Sequence, residues 1–193
     1  MIQLVHAYVV EGGLLHPREE IMRPARTISL ATLVVAVLTI AVRAGGDNVK
    51  FPENYAKGVL YTTVDRADNK QYRELYATPE AIAAVKAGKP IPSGTVLTLV
   101  QYKAKLDASG QPEKDANGRF IKGELIGYTV MEKRTGWGAE YPEEIRNGEW
   151  EYQAFKADKS VNDKAKLANC FTCHKPLAKQ DFVFSFEAMK NAK

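Results

Sequence analysis

The chain has 193 residues and a formal net charge of +4, with 27 basic and 23 acidic side chains and only two cysteines. This length allows one domain with a substantial core and a short appendage. The charge is mild and no long or aromatic-interleaved basic run occurs, so the sequence gives no support for a nucleic-acid-binding protein.

The N-terminal part differs in composition from the rest of the chain. Arg23 and Arg26 precede an uncharged run over residues 28–42, and Ala44 stands where signal peptidase favours a small residue. The run is shorter than the roughly eighteen or more residues of a membrane span. We therefore predict a secretory signal peptide over residues 1–44, with a retained membrane anchor as the alternative.

The start of that segment is unusual for a signal peptide. Residues 1–21 include three glutamates, and a methionine follows at position 22. Translation starting at Met22 would explain this, with residues 1–21 a mis-annotated extension. The mature domain would then comprise residues 45–193, in which His174 is the only histidine.

The mature part predicts a mainly β (α+β) fold, an antiparallel β-sheet domain with a few short helices. Apolar or alternating runs separated by turn signals predict strands at 59–64, 72–76, 95–105, 124–132 and 149–155. Thr78 and Pro79 predict the start of a short helix that ends at Gly88. The Gly-containing pairs of the loop over 107–118 indicate an exposed hairpin connection.

Alternation in the two longest strands separates their faces. Leu97 and Leu99 share one face, and the other face of that strand is also partly apolar, so we expect the sheet to be covered on both sides. In the partner strand the residues expected to share one face are Leu125, Gly127, Thr129 and Met131.

The C-terminal region is expected to be partly helical. Ser160, with Asp163 three residues later, predicts a capped helix that leads into the cysteines. Phe182, Phe184 and Phe186 alternate as in a strand, whereas residues 187–193 have helical character, so periodicity leaves this tail open.

Cys170, Cys173 and His174 form the pattern C-x-x-C-H, the attachment signature of a c-type haem. On a helical turn the two thiols can form thioethers to haem vinyl groups while the imidazole faces the iron. A disulfide, a thioredoxin-like redox pair and part of a zinc site are the alternatives, although zinc needs about four ligands. We predict one covalent haem c per chain with His174 as the metal ligand. Because bacterial haem c is attached outside the cytoplasmic membrane, we expect a periplasmic protein.

The chain is mostly β and carries its haem motif near the C-terminus, and in this it resembles the cytochrome P-460 family and its relative cytochrome c′-β. The resemblance covers residues 51–190 and depends on the order and spacing of several segments, namely 51–55, Arg73 ahead of Tyr76, 92–96, 123–127, 147–150 and the haem motif. It implies a compact antiparallel sheet, often a homodimer, and a five-coordinate haem with an open sixth position.

The resemblance also separates two activities. Cytochromes P-460 oxidise hydroxylamine and cross-link the haem to a lysine, whereas cytochromes c′-β lack the cross-link and bind NO or CO in an apolar pocket. The cross-linking lysine falls on Leu99 here, and the nearest lysine on that strand face is Lys103. A distal acid of the hydroxylamine-oxidising members aligns near Thr129. Arg73 matches an arginine that lies close to the haem in the family.

Three functions follow, and the sequence leaves open whether the protein is an enzyme. The first is a haem protein that binds NO or CO beside an apolar wall of Leu97, Leu99 and Leu125. The second is an oxidoreductase acting on hydroxylamine or peroxide with help from Thr129, Arg73 or a residue such as Glu132. The third is an electron-transfer cytochrome with Met131 or Met189 as sixth ligand. Lysines near the haem motif would steer an acidic redox partner or merely form a solvated surface.

Overall fold

A five-stranded antiparallel sheet forms the centre of the fold, in the strand order β1-β2-β3-β4-β5. The computed structural model describes residues 48–193, so the predictions for residues 1–44 lie outside the described residues. Each strand pairs with the next in sequence, and the strands are β1 (Val59–Arg66), β2 (Gln71–Ala77), β3 (Val96–Ala104), β4 (Lys122–Lys133) and β5 (Trp150–Lys156).

Three short α-helices accompany the sheet in the described range. They are α1 (Pro79–Lys86), α2 (Ala168–His174) and α3 (Phe186–Lys190), with 3-10 segments at Tyr55–Lys57 and, kinked at Leu177, at Lys175–Gln180. Within residues 48–193, no helix has the length and apolar character needed to cross a bilayer. The mainly β fold with few short helices is confirmed.

The sheet is covered on both faces, as the alternation of β3 predicts. On one face, which we call the cavity face, Leu97, Met131 and Tyr152 pack with residues of all three helices. On the other, which we call the outer face, Val100, Tyr128, Val130 and Phe155 form a second buried cluster. The chain before β1 covers this outer face, where the Phe51 ring lies 4.8 Å from that of Tyr128.

The expected alternation of β4 fails at one point. Gln101 pairs with Gly127 but Tyr102 pairs with Leu125, so Ile126 is an extra residue in a β-bulge. The bulge moves Leu125 to the outer-face cluster. The expectation that Leu125 lines an apolar wall together with Leu97 and Leu99 is therefore wrong. The bulge requires Gly127, because a Cβ there would collide with the carbonyl oxygen of Phe155.

The predicted helix start at Ser160 is also wrong. Ser160 instead closes a turn by donating its backbone N–H and hydroxyl to Asp158 Oδ1, at 2.9 and 2.6 Å. The helix begins at Ala168, so the C-x-x-C-H pattern occupies the helix itself. The alternating phenylalanines do not form a strand, since α3 begins at Phe186 directly after a turn.

Candidate functional site

A cavity of about 710 Å³ lies between the cavity face of the sheet and helix α2. This volume is within the range of proteins that bury a small-molecule ligand or cofactor. Seven of the residues that the sequence predicts for the site line this one cavity, namely Arg73, Leu97, Leu99, Thr129, Cys170, Cys173 and His174.

Helix α2 presents its chemical groups on the face towards the cavity. Cys170, Cys173 and His174 are spaced i, i+3 and i+4, which places them on one side of a helix. Phe171 is 1% exposed and anchors the opposite side, with its ring 4.9 Å from Tyr141 and 4.8 Å from Tyr152. The hydrophobic anchor thus fixes the direction in which the thiols and the imidazole point.

A backbone carbonyl fixes the tautomer of His174. Its Nδ1 lies 2.6 Å from the Phe182 oxygen, and a carbonyl only accepts, so Nδ1 carries the hydrogen. Burial lowers the pKa of His174, and the bond to Phe182 opposes that shift. The neutral imidazole therefore keeps its Nε2 lone pair free for a metal.

An uncommon turn directs the Phe182 carbonyl towards His174. Asp181 and Phe182 both have left-handed backbone conformations, with φ of 49° and 61°. For a residue with a Cβ this region costs about 1–2 kcal/mol, and it is rare for bulky side chains. Sequence reasoning missed this turn, because no glycine or asparagine marks it and the phenylalanine spacing indicates a strand.

Neither cysteine forms a disulfide within the described chain. Cys170 is half-buried and Cys173 is exposed. Burial, with a smaller effect of Cys173, raises the pKa of the Cys170 thiol. Both thiols are thus available for covalent attachment of a ligand in the cavity.

The sheet supplies a largely apolar wall opposite α2. Leu75, Leu97, Leu99 and Met131 line it. Its central polar group is the Thr129 hydroxyl, which accepts a hydrogen bond from Gln101 Nε2 at 3.0 Å. The cavity-lining residues within 48–193 include no lysine, aspartate or glutamate.

Two arginines lie at one end of the cavity. Arg66 pairs with Asp68 at 2.6 Å, whereas Arg73 donates to the neutral amide oxygen of Gln71 at 2.9 and 2.7 Å. Burial, with a smaller contribution from Arg66, lowers the pKa of Arg73. Among the ion pairs of the described residues none involves Arg73, so its charge suits a carboxylate of a bound molecule.

The other residues considered for chemistry lie elsewhere, with one exception. Lys103 is an exposed side chain paired with Glu124 at 2.7 Å, and Glu132 pairs with Arg134, also at 2.7 Å. Met189 is fully buried in the core. Met131 alone of these candidates lines the cavity.

The residues that line the cavity fit an iron porphyrin. An imidazole with a free Nε2, two thiols on the same helix face, an unpaired guanidinium and an apolar wall match the iron, vinyl groups, carboxylates and macrocycle of haem. By contrast, residues 48–193 contain no group of three or more His, Cys, Asp or Glu side chains suited to a bare metal ion.

Comparison with known proteins agrees with this geometry. A search of curated proteins finds no significant match. The model of the family Cytochrome P-460 matches residues 52–185, which is more than half of the chain and includes the sheet, the cavity and helix α2. The chain therefore belongs to the cytochrome P-460 family, and a haem cofactor follows from that membership.

Proposed function

We propose that the protein is a periplasmic c-type cytochrome that carries one haem and binds a small neutral ligand, NO or CO, at an open sixth position. Cys170 and Cys173 would hold the haem covalently, and His174 Nε2 would be its axial ligand. The observation that carries this proposal is the cavity itself, with His174 on one side and the leucine wall on the other.

Haem in this cavity would supply a redox-active Lewis-acidic iron. The chain's own residues decide what reaches it. Leu75, Leu97 and Leu99 exclude water and make the entry of a charged ligand costly, because a charge loses its hydration in such surroundings. NO and CO carry no charge and lose little on entering. The wall thus favours neutral diatomic ligands.

The apolar wall gives less support to hydroxylamine oxidation. That chemistry, as the resemblance implies it, uses a lysine cross-link and a distal acid, and Leu99 and Thr129 stand at those positions. A general acid or base must come within hydrogen-bond reach of the substrate. The acids and lysines closest in sequence, Glu132 and Lys103, are engaged in ion pairs instead.

Electron transfer is the second candidate function, because Met131 lines the cavity from the sheet side. A thioether ligand from Met131 would complete the coordination of the iron and make the iron low-spin. An acidic redox partner would then be expected to meet the basic surface near the motif. Substitution of Met131 by alanine separates the two functions, since only a ligand role makes the spin state depend on this residue.

Mass and absorption spectra of the protein matured in a competent periplasm test the proposal. We expect a mass increase equal to one haem, a five-coordinate high-spin ferrous spectrum, and binding of both NO and CO. A Cys170→Ala, Cys173→Ala double variant should lose the covalent haem. A low-spin ferrous spectrum that disappears in Met131→Ala would favour electron transfer, and haem bound to a peptide from residues 95–105 would favour hydroxylamine oxidation.

A homodimer is part of the proposal. The edge strand β1 exposes a large apolar side chain, Leu60, which is 47% exposed, and such surface on an edge strand favours association. Light scattering of the haem-loaded protein should give twice the chain mass. A monomer at micromolar concentration would contradict this part of the proposal alone.

A further inference from the structure

Asp181 connects the sheet to the turn that holds His174. Its Oδ2 lies 2.6 Å from Lys133 Nζ, and its Oδ1 accepts a hydrogen bond from Trp150 Nε1 at 3.2 Å. Lys133 and Trp150 are direct partners across β4 and β5. We call these three residues the Asp181 clamp.

The clamp is well shielded from solvent. Trp150 is fully buried, and the side chains of Lys133 and Asp181 are 13% and 23% exposed. Lys133 Nζ also lies 5.7 Å from the centre of the Trp150 ring. A charged pair in such surroundings is screened far less than a surface pair, so the position of Asp181 is strongly determined.

The residue after Asp181 carries the carbonyl that binds His174. The Phe182 N–H donates to the Leu177 oxygen at 2.9 Å, and the Phe182 ring packs over Gly148, where an added Cβ would lie 3.1 Å from the ring. The peptide that carries the Phe182 carbonyl is also held through the Val183 N–H, which donates to the Gln180 oxygen at 3.1 Å. The clamp holds the residue before Phe182 through its side chain, and so adds a restraint from the sheet to these contacts within the turn.

We propose that Asp181 is a positioning residue for the axial histidine, and this inference rests on the role of His174 given under the proposed function. The clamp keeps residues 181 and 182 in the left-handed conformation, and this conformation directs the Phe182 carbonyl at His174 Nδ1. A carbonyl that accepts a hydrogen bond from Nδ1–H orients the imidazole and makes Nε2 a stronger electron-pair donor to the iron. Asp181 thereby sets the strength of the axial bond without touching it.

Loss of the clamp has a defined spectroscopic consequence. A weaker hydrogen bond from Nδ1–H makes Nε2 a poorer electron-pair donor to the iron, so the iron–histidine stretching band should move to lower frequency. The same change stabilises the ferric form less, so the reduction potential should rise. The band reports the iron–imidazole bond directly, whereas the potential also changes with the charge that a substitution removes. The band is therefore the deciding readout.

The test uses the haem-loaded protein and three substitutions. Asp181→Ala removes both clamp contacts, Asp181→Asn keeps an oxygen for Trp150 while removing the charge, and Lys133→Met removes the ion pair from the sheet side. We expect the largest downshift of the band in Asp181→Ala and smaller downshifts in the other two. The potential should rise in Asp181→Ala and Asp181→Asn, whereas loss of the Lys133 charge in Lys133→Met opposes such a rise. If Asp181→Ala does not fold, the two milder variants decide the question.

Lys122→Met is the matched control. It breaks the Lys122–Glu74 pair, which has the same kind of geometry at 2.7 Å but lies on the outer face. It should leave the band unchanged. Folded clamp variants with an unmoved band would overturn the inference. Absence of an iron–histidine band in the wild-type protein would instead refute the proposed role of His174.

Discussion

Gln101 donates a hydrogen bond to Thr129 across β3 and β4, with 3.0 Å between Gln101 Nε2 and Thr129 Oγ1. Because the hydroxyl oxygen is the acceptor, its own hydrogen is left for another partner. Thr129 lines the cavity, so that hydrogen is available to a bound ligand with a lone pair. Thr129 thus supplies an oriented donor between the leucines of the wall.

Replacing Thr129 by valine removes this donor at nearly constant shape. We expect the affinity of the ferric protein for azide, which accepts a hydrogen bond, to fall about fivefold, corresponding to about 1 kcal/mol. The affinity of the ferrous protein for CO should change much less. Thr98→Val, a buried threonine on the outer face of β3, is the control. Equal losses for azide and CO would contradict a donor role.

Arg73 should raise the reduction potential of the haem. Its guanidinium lies in the cavity wall without a carboxylate partner in the described chain, and a positive charge favours the ferrous over the ferric state. Arg73→Gln should therefore lower the potential in a redox titration. Arg66→Gln is the matched control, because Asp68 already neutralises that charge. An equal shift in both variants would argue against a specific role of Arg73.

Phe171 should be the principal anchor of helix α2. Its ring is 1% exposed and contacts Tyr141 and Tyr152. Phe171→Ala should lower the free energy of unfolding by about 3–5 kcal/mol, measured by denaturant titration. Phe184→Ala provides the same chemical change at a ring that is 63% exposed, and it should cost much less. A similar loss of unfolding free energy in both variants would mean that the contribution of Phe171 does not depend on its burial.

Glu151 should make stability depend on pH. Its side chain is fully buried, accepts a hydrogen bond from the Tyr141 hydroxyl at 2.9 Å, and has no partner for Oε1 in the described residues. Burial raises the pKa of Glu151 to about 7, against the opposing bond from Tyr141. The folded protein therefore retains a proton that the unfolded chain has released.

The sign of the effect follows from this difference. Below pH 4.5 both states are protonated, whereas from there to about pH 7 only the unfolded state ionises. Stability should therefore fall by up to about 3 kcal/mol as the pH rises through this window, and then level off. Glu151→Gln should remove the slope, and Glu149→Gln, at a more accessible carboxyl, should retain it. A slope that is unchanged in Glu151→Gln would refute the prediction.

The sequence was informative wherever one local pattern determined the structure. The alternation in β3 correctly placed Leu97 and Leu99 on one face, and Pro79 and Gly88 correctly bounded α1. The spacing of Cys170, Cys173 and His174 predicted a helical turn that carries all three side chains, and the three line one cavity from helix α2. Even here a detail differs, because Thr78 stands at the N-cap of α1 but its side chain makes no capping bond.

The misses have a common physical cause. The bulge at Ile126 depends on pairing with β3, so alternation within β4 alone could not reveal it. Asp181 acquires its role from Lys133 and Trp150, which are 48 and 31 positions away. The bond from Gln101 to Thr129 depends on the register between β3 and β4. Contacts between distant segments carry these features, and no local pattern encodes them.

The segment that covers the outer face sets a downstream limit on N-terminal processing. Val49 is 2% exposed, and Phe51 packs its ring 5.3 Å from that of Phe155. Proteolysis beyond Lys50 would remove this cover from Tyr128 and Phe155 and expose an apolar, aggregation-prone surface on the outer face of the sheet. If residues 1–44 are removed as the sequence predicts, cleavage after Ala44 would leave four residues before Val49 and keep this cover in place.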